Sequence, residues 1–321
     1  MLSGLVPESE GNNLRGNLKM KNQWIPYAAL VGSMLCFSGN FMLGGVAAGA
    51  MPLMSLMFVK WGTAALPMLL LAAYVERPNW RKVLTYWKTI AVLAALGIAG
   101  YSFMFYHALS TTTPVNASLI NAFNPALIVI ASALVLKEQL TATKVCGIAV
   151  AFFGILWVLS RGDLDVVRNL SFNPGDVWML GVITCWTAYT IIAKKSADLP
   201  PITSCALQMT FFTIAMIPYM LVNGITLPTT AAAGWSLAYI AIFPSAVAYG
   251  LWNYGAKSVE PGIAGQSLNL VVPFIAIMTL ASGGSVNSVD LIGGALVLIG
   301  VYITLRSPTV PKLPHSVTTI A

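Results

Sequence analysis

Apolar residues run through this chain in long unbroken stretches, and short polar segments separate them. A run of about 20 apolar residues has the length of a helix crossing roughly 30 Å of hydrocarbon, whereas a membrane barrel would show apolar and polar residues alternating with a period of two. Ten continuous runs can be marked off, at about 24–45, 52–75, 87–107, 114–136, 142–160, 175–193, 202–223, 233–255, 261–282 and 288–305. The pattern predicts an all-α integral membrane protein of ten transmembrane helices. The first 22 residues are polar, so a cleaved leader would require loss of the first run itself, after 46-VAAGA-50. That run is expected to be retained, because it has a partner later in the chain.

The ten runs fall into two sets of five. Asn121 stands four residues before Pro125 and Asn269 four before Pro273, 148 positions on. At the same offset 108-ALS-110 meets 256-AKS-258, Tyr101 meets Tyr249 and Tyr106 meets Tyr254. With an offset of 149, 32-GSMLCFS-38 meets 181-GVITCWT-187, and with 146, Gly147 and Gly154 meet Gly293 and Gly300. Near-constant offsets along five consecutive runs indicate an internal duplication. Because five is odd, the second set must cross the membrane upside down relative to the first. Inverted repeats of this kind place a site near the midplane between the halves and permit alternating access.

Composition agrees with a bilayer setting: 57% of residues are hydrophobic, 8% are charged, and the mean hydropathy is +0.79. The net charge of +7 reports topology rather than nucleic-acid binding. With the N-terminus inside, the inner segments hold Arg15, Lys19, Lys21, Arg77, Arg81, Lys82, Lys88, Lys137, Lys144, Lys194, Lys195, Lys257, Arg306 and Lys312; the outer ones hold Arg161 and Arg168. That asymmetry predicts both termini to be cytoplasmic. The expected organisation is a cytoplasmic tail (1–22), a first five-helix repeat (23–161), an external linker (162–174), a second repeat (175–306) and a second tail (307–321). Both tails are expected to be disordered.

A proline inside a helix cannot donate to the carbonyl four residues back and displaces it. In both halves that carbonyl belongs to an Asn, about 16–18 Å into its run at 1.5 Å per residue. Pro125 and Pro273 are therefore expected hinges, each leaving a bare carbonyl. The Asn121 and Asn269 amides either satisfy the kink and a neighbouring helix or line a translocation cavity. Lys60 is the one Lys or Arg in the interior of a run; Lys88, Lys144, Asp176 and Asp290 stand within the first three residues of theirs, so no Asp or Glu lies at its depth to pair with it. It either faces a cavity, where it would attract an anionic group, or snorkels to the outer interface. Phe37 with Trp186, Tyr101 with Tyr249, and Phe105 beside Trp252 and Asn253 are repeat-matched aromatics, read as cavity lining or as packing. Asn40, Gln208 and Gln266 are further polar candidates. His107 is expected at a wet outer end. The glycine pairs allow close helix approach, within the chain or across a homodimer.

Cys36, Cys146, Cys185 and Cys205 all lie in apolar runs without CxxC or metal-type spacing, and no P-loop pattern occurs. No metal, cofactor or catalytic residue is expected. A selectivity element for a channel, or a nucleophile with its base for a membrane-embedded enzyme, is not evident either. The ten runs, the duplication, 37-FSGNF-41, 116-NASLINAFNP-125 and the LKEQLT turn followed by Gly147 and Gly154 resemble the drug/metabolite transporter superfamily, EamA-type, over roughly residues 25–306. The acidic Glu138 of that turn has no counterpart in 283-GGSVNS-288. The resemblance implies a bacterial inner-membrane secondary carrier exporting an amino acid or another small metabolite. A channel-like pore and, further off, a membrane enzyme are the alternatives.

Overall fold

The structure is a computed structural model and describes residues 8–112, 114–121, 123–137, 140–159, 174–196, 198–283 and 288–306. The described residues are all helical or connecting. The helices are α1 (Glu8–Ala50), α2 (Leu53–Val75), the short α3 (Trp80–Leu84) and α4 (Trp87–Leu109). They continue with α5 (Pro114–Asn121), α6 (Asn124–Leu136), α7 (Ala142–Leu159) and α8 (Pro174–Lys195). The last four are α9 (Pro201–Asn223), α10 (Ala231–Ser258), α11 (Pro261–Ala281) and α12 (Ser288–Leu305). Seven of these contain stretches long and apolar enough to cross a membrane; Asn124–Leu136, Ala142–Gly154 and Leu291–Thr304 are apolar but shorter.

Local chemistry explains the starts. Proline opens α5, α8, α9 and α11, where its missing N–H costs nothing and its fixed φ suits the first turn. The Thr230 hydroxyl caps α10 by accepting the Ala233 N–H at 3.3 Å. One expectation fails here: α1 begins at Glu8, inside the supposed disordered tail. Residues 8–25 contain no proline but carry four Asn and two Gly, so the extension follows from continuity with the apolar helix and not from intrinsic helix propensity. The linker 162–173, Glu138 and the tail 307–321 lie outside the described residues.

Three irregularities recur at matched positions. α4 carries a π-helical turn at Ala94–Gly100, and α10 carries one at Phe243–Ala248, each directly before a matched tyrosine. The expected run 114–136 is broken between Asn121 and Asn124, while α11 tightens into a 3-10 turn at Leu268–Leu270. That turn corrects a second expectation. The Asn269 carbonyl is not bare, because the Val271 N–H turns back onto it. Finally, Lys137 (φ 56°) and Gly283 (φ 82°), 146 positions apart, both end their helices in the left-handed region.

Cross-half packing is reciprocal. α2 lies against α9 and α7 against α12; α1 packs on α10 and α11, while α8 packs on α4, α5 and α6. Gly147 and Gly300 explain the closeness of α7 and α12. A Cβ on Gly147 would lie 2.7 Å from the Gly300 carbonyl oxygen, and one on Gly300 would lie 2.7 Å from the Ala151 Cβ. These glycines therefore pack the chain against itself. Outward-facing Leu66, Leu70, Leu134, Leu221, Val222 and Trp235 are exposed, the surface that lipid would cover.

Candidate functional site

Where α1, α4, α5, α8 and α11 converge, a small, tight pocket is lined by Phe37, Phe41, Tyr101, Asn121, Trp186, Leu268 and Val271. Four side chains singled out from the sequence, Phe37, Tyr101, Asn121 and Trp186, thus meet in one place. The α5–α6 break places Asn121 at a helix end, and the 3-10 turn of α11 supplies the opposite wall. The aromatics pack edge to face: Phe37 on Trp186 with centroids 5.8 Å apart, Tyr101 tilted on Trp186 at 5.1 Å, and Phe41 on Phe105 at 4.9 Å. Such offsets hold rings rigidly.

Trp186 separates this pocket from a second opening. Behind it stand Tyr189 at 5.3 Å and Trp252 at 5.2 Å, and Tyr249 packs on Trp61 at 5.5 Å. Trp252 also lines a cleft, together with Thr190, Lys194, Ser204, Asn253 and Lys257. Tyr249 and Trp252 therefore belong to the partition and the far cleft, not to the first pocket.

Several buried polar atoms beside the pocket have no hydrogen-bond partner among the described residues: Trp186 Nε1, Asn124 Nδ2, Gln266 Nε2 and Asn269 Oδ1. The Asn269 amide nitrogen donates to Gln266 Oε1 at 3.2 Å, so the two candidates on α11 act as a pair. Unpaired buried dipoles are costly, which makes them ready partners for a polar solute. The Thr187 hydroxyl donates to Asn124 Oδ1 at 2.9 Å, one residue before Pro125. At the matched position Ser38 reaches the Val271 carbonyl at 3.3 Å, two residues before Pro273. Each half thus contacts the broken helix of the other. Sequence reasoning missed Phe41, Asn124, Thr187, Leu268 and Val271 as parts of this region; Ser38 meeting Thr187 in the duplicated segment was the available signal.

Asn40 and Lys60 form a separate network. Lys60, 3% exposed, donates from Nζ to the Tyr106 hydroxyl at 2.9 Å, and that hydroxyl donates to Asn40 Oδ1 at 2.9 Å. The ammonium also lies over the rings of Trp61 (4.5 Å) and Tyr106 (5.1 Å). Lys60 lines neither the pocket nor the cleft; its ammonium is turned inward onto Tyr106. In the second half, Tyr189 donates to Asn253 Oδ1 at 2.5 Å and Tyr249 donates to Gln208 Oε1 at 3.2 Å. His107 is exposed at its helix end, against Phe103 and Trp178. Among the described residues no group of three His, Cys, Asp or Glu could hold a metal.

Comparison with known proteins gives one consistent picture. The EamA-like transporter family matches residues 24–160 and again 173–306. The chain is 27% identical over 290 residues to the uncharacterized transporter YyaM of Bacillus subtilis (strain 168), covering 89% of this chain and 95% of that one. It is 25% identical to a probable terminal-alkyne amino-acid exporter of Streptantibioticus cattleyicolor, over 72% of this chain and 76% of that one. It is 22% identical to the aromatic amino acid exporter YddG of Ancylobacter novellus, over 59% and 65%. A protein crystal structure shares the fold with a TM-score of 0.67 at 18% identity, over 88% of this chain and 99% of that one.

Proposed function

From the premise that the chain belongs to the EamA-like transporter family, we propose that it is a secondary carrier. It exports a small metabolite, an amino acid or a related compound, across the bacterial inner membrane by alternating access. Ten membrane crossings form two inverted five-helix repeats, 23–161 and 175–306, with both termini cytoplasmic. Reciprocal packing, matched π-turns and the double family match support that reading. The names of two relatives supply the substrate class.

The observation that carries the proposal is the aromatic-lined pocket set between a broken helix of each half. In it the substrate packs on Phe37, Tyr101 and Trp186 and hydrogen-bonds to Asn121 and to the Gln266–Asn269 pair. Pro125 and Pro273 act as hinges that let each broken helix tilt about its interruption. Lys60, with Asn40 and Tyr249, lies on the path and draws in an anionic group; Trp252 guards the far cleft. Purified protein in proteoliposomes, preloaded with an unlabelled amino acid, will take up the labelled one by counterflow, because a carrier exchanges substrate one for one. A leak that dissipates any gradient without exchange marks a pore instead.

A further inference from the structure

The two ends of the helix bundle are fastened unequally. Where α2 finishes and α9 begins, the Glu76 carboxylate accepts the Ile202 N–H at 2.9 Å, the Thr203 N–H at 2.7 Å and the Thr203 hydroxyl at 2.6 Å. A helix start, with its unpaired N–H groups, favours an anion there. At the same end Lys144 of α7 meets the carboxylate of Glu260, the residue preceding α11, at 2.5 Å, with the lysine side chain only 7% exposed. Both links join the first half of the chain to the second. Within the second half, Lys194 donates to the carbonyls of Lys257 and Val259, and Lys257 donates to that of Leu199.

The repeat offsets name the equivalent positions at the opposite end. Glu260 corresponds to Thr112 (148 positions) and Lys144 to Asp290 (146), a pair that cannot form a salt bridge. The Thr112 hydroxyl is buried with no hydrogen-bond partner among the described residues. Thr203 corresponds to Ser55 (148), and there a single neutral bond forms, from the Thr226 N–H to Ser55 Oγ at 3.2 Å. Among the described residues, charged links therefore stand at the first end, and at the matched positions of the other stand a neutral bond and a Thr112 with no charge to offer.

We propose that Glu76 and the Lys144–Glu260 pair form a gate that holds the empty carrier shut at their end, so that the opposite end is the one open at rest. This rests on the alternating-access reading above. If the halves exchange conformations, closing the other end gains no ion pair between Thr112 and Asp290, the counterparts of Glu260 and Lys144, whereas opening this end strands a buried lysine and a helix-capping carboxylate. The two closed states are unequal for that reason.

The test places a reporter at Thr190, which is buried and lines the cleft on the gated side. Thr190→Cys is introduced after Cys36, Cys146, Cys185 and Cys205 are changed to alanine, and its labelling by a water-soluble maleimide is followed in lipid nanodiscs. Glu76→Gln or Glu260→Gln should speed labelling about tenfold, and the exchange Lys144→Glu with Glu260→Lys should return it towards the starting rate. Copying the pair to the other end with Thr112→Glu and Asp290→Lys should also speed labelling about tenfold while leaving the original gate untouched. Unchanged labelling in Glu76→Gln and Glu260→Gln, or slower labelling in the copied pair, overturns the gate. Counterflow by the wild type is read separately: its absence overturns the transport reading, while the labelling rates still decide whether the gate exists.

Discussion

The two halves repeat one backbone plan but hold different polar interiors. In the first, Lys60, Tyr106 and Asn40 form a charged chain of hydrogen bonds. The second has Gln208 where the first has Lys60, and Tyr189 where it has Asn40, giving the neutral pairs Tyr249–Gln208 and Tyr189–Asn253. Tyr106 is fully buried, whereas its counterpart Tyr254 is 38% exposed. What the halves share, namely the π-turns, the broken helices and the left-handed helix ends, concerns how the chain bends. What they do not share concerns what the interior attracts. Duplication has preserved the mechanics and let the chemistry diverge.

Substitutions that make the halves alike will test that division, and the largest effect should come from adding charge. Gln208→Lys copies the first half's ammonium into a site whose partners, Tyr249 and Ser204, are neutral. It should cost about 3 kcal/mol or more, visible as a clear drop in thermal unfolding temperature in detergent; an unchanged midpoint would mean that the second interior accepts a cation as well as the first. Next come the matched amides. Asn121→Ala and Asn269→Ala should each raise the KM for counterflow about tenfold, the equivalent of one lost hydrogen bond of roughly 1.4 kcal/mol. If one of them leaves affinity and rate untouched, the halves do not share the binding role.

Lys60→Gln gives the first half the residue type of the second. Because it removes a buried charge that has no acidic partner among the described residues, stability should hold or rise by up to about 1 kcal/mol, while preference for acids over their amides falls roughly fivefold. Equal uptake of acids and amides before and after the change would remove Lys60 from the path. The smallest effect concerns the helix ends. Lys137→Gly should stabilise by about 0.5–1 kcal/mol and Gly283→Ala destabilise by about 1 kcal/mol, since both positions are left-handed. Denaturation midpoints that move the other way would show that the two ends are not equivalent.

Hydropathy and offsets made much of this molecule readable: the apolar runs, the duplicated pattern, and four of the seven pocket residues. They report how deep a residue lies but not which way it faces around the helix. Lys60 and Asn121 are therefore alike on the page, yet Asn121 lines the pocket while Lys60 pairs with Tyr106. Aromatic and aliphatic wall residues such as Phe41, Leu268 and Val271 look like any core residue in an apolar run, so nothing distinguishes them before packing is known. Tertiary pairing also decides the Glu76 cap, because its partners lie 126 and 127 residues away. The start of α1 is not legible for a different reason: residues 8–22 are polar and hold four Asn and two Gly, which argue against helix, yet they continue the helix of the apolar run.

The π-turns of α4 and α10 carry a constraint on chain length as well as on residue type. A π-turn fits an additional amino acid into a helical turn, so removing any one residue from Ala94–Gly100 would let ordinary α-helix form there. At 3.6 residues per turn, a deletion from an ordinary α-helical stretch of α4 would swing everything after it by about 100° about the helix axis, whereas a deletion within the π-turn would leave the segment from Tyr101 onward facing as before. Tyr101 would stay against Trp186, and Tyr106 against Lys60. Single-residue deletions in this stretch should therefore be better tolerated than deletions elsewhere in the helix, and the same arithmetic applies to Phe243–Ala248 ahead of Tyr249.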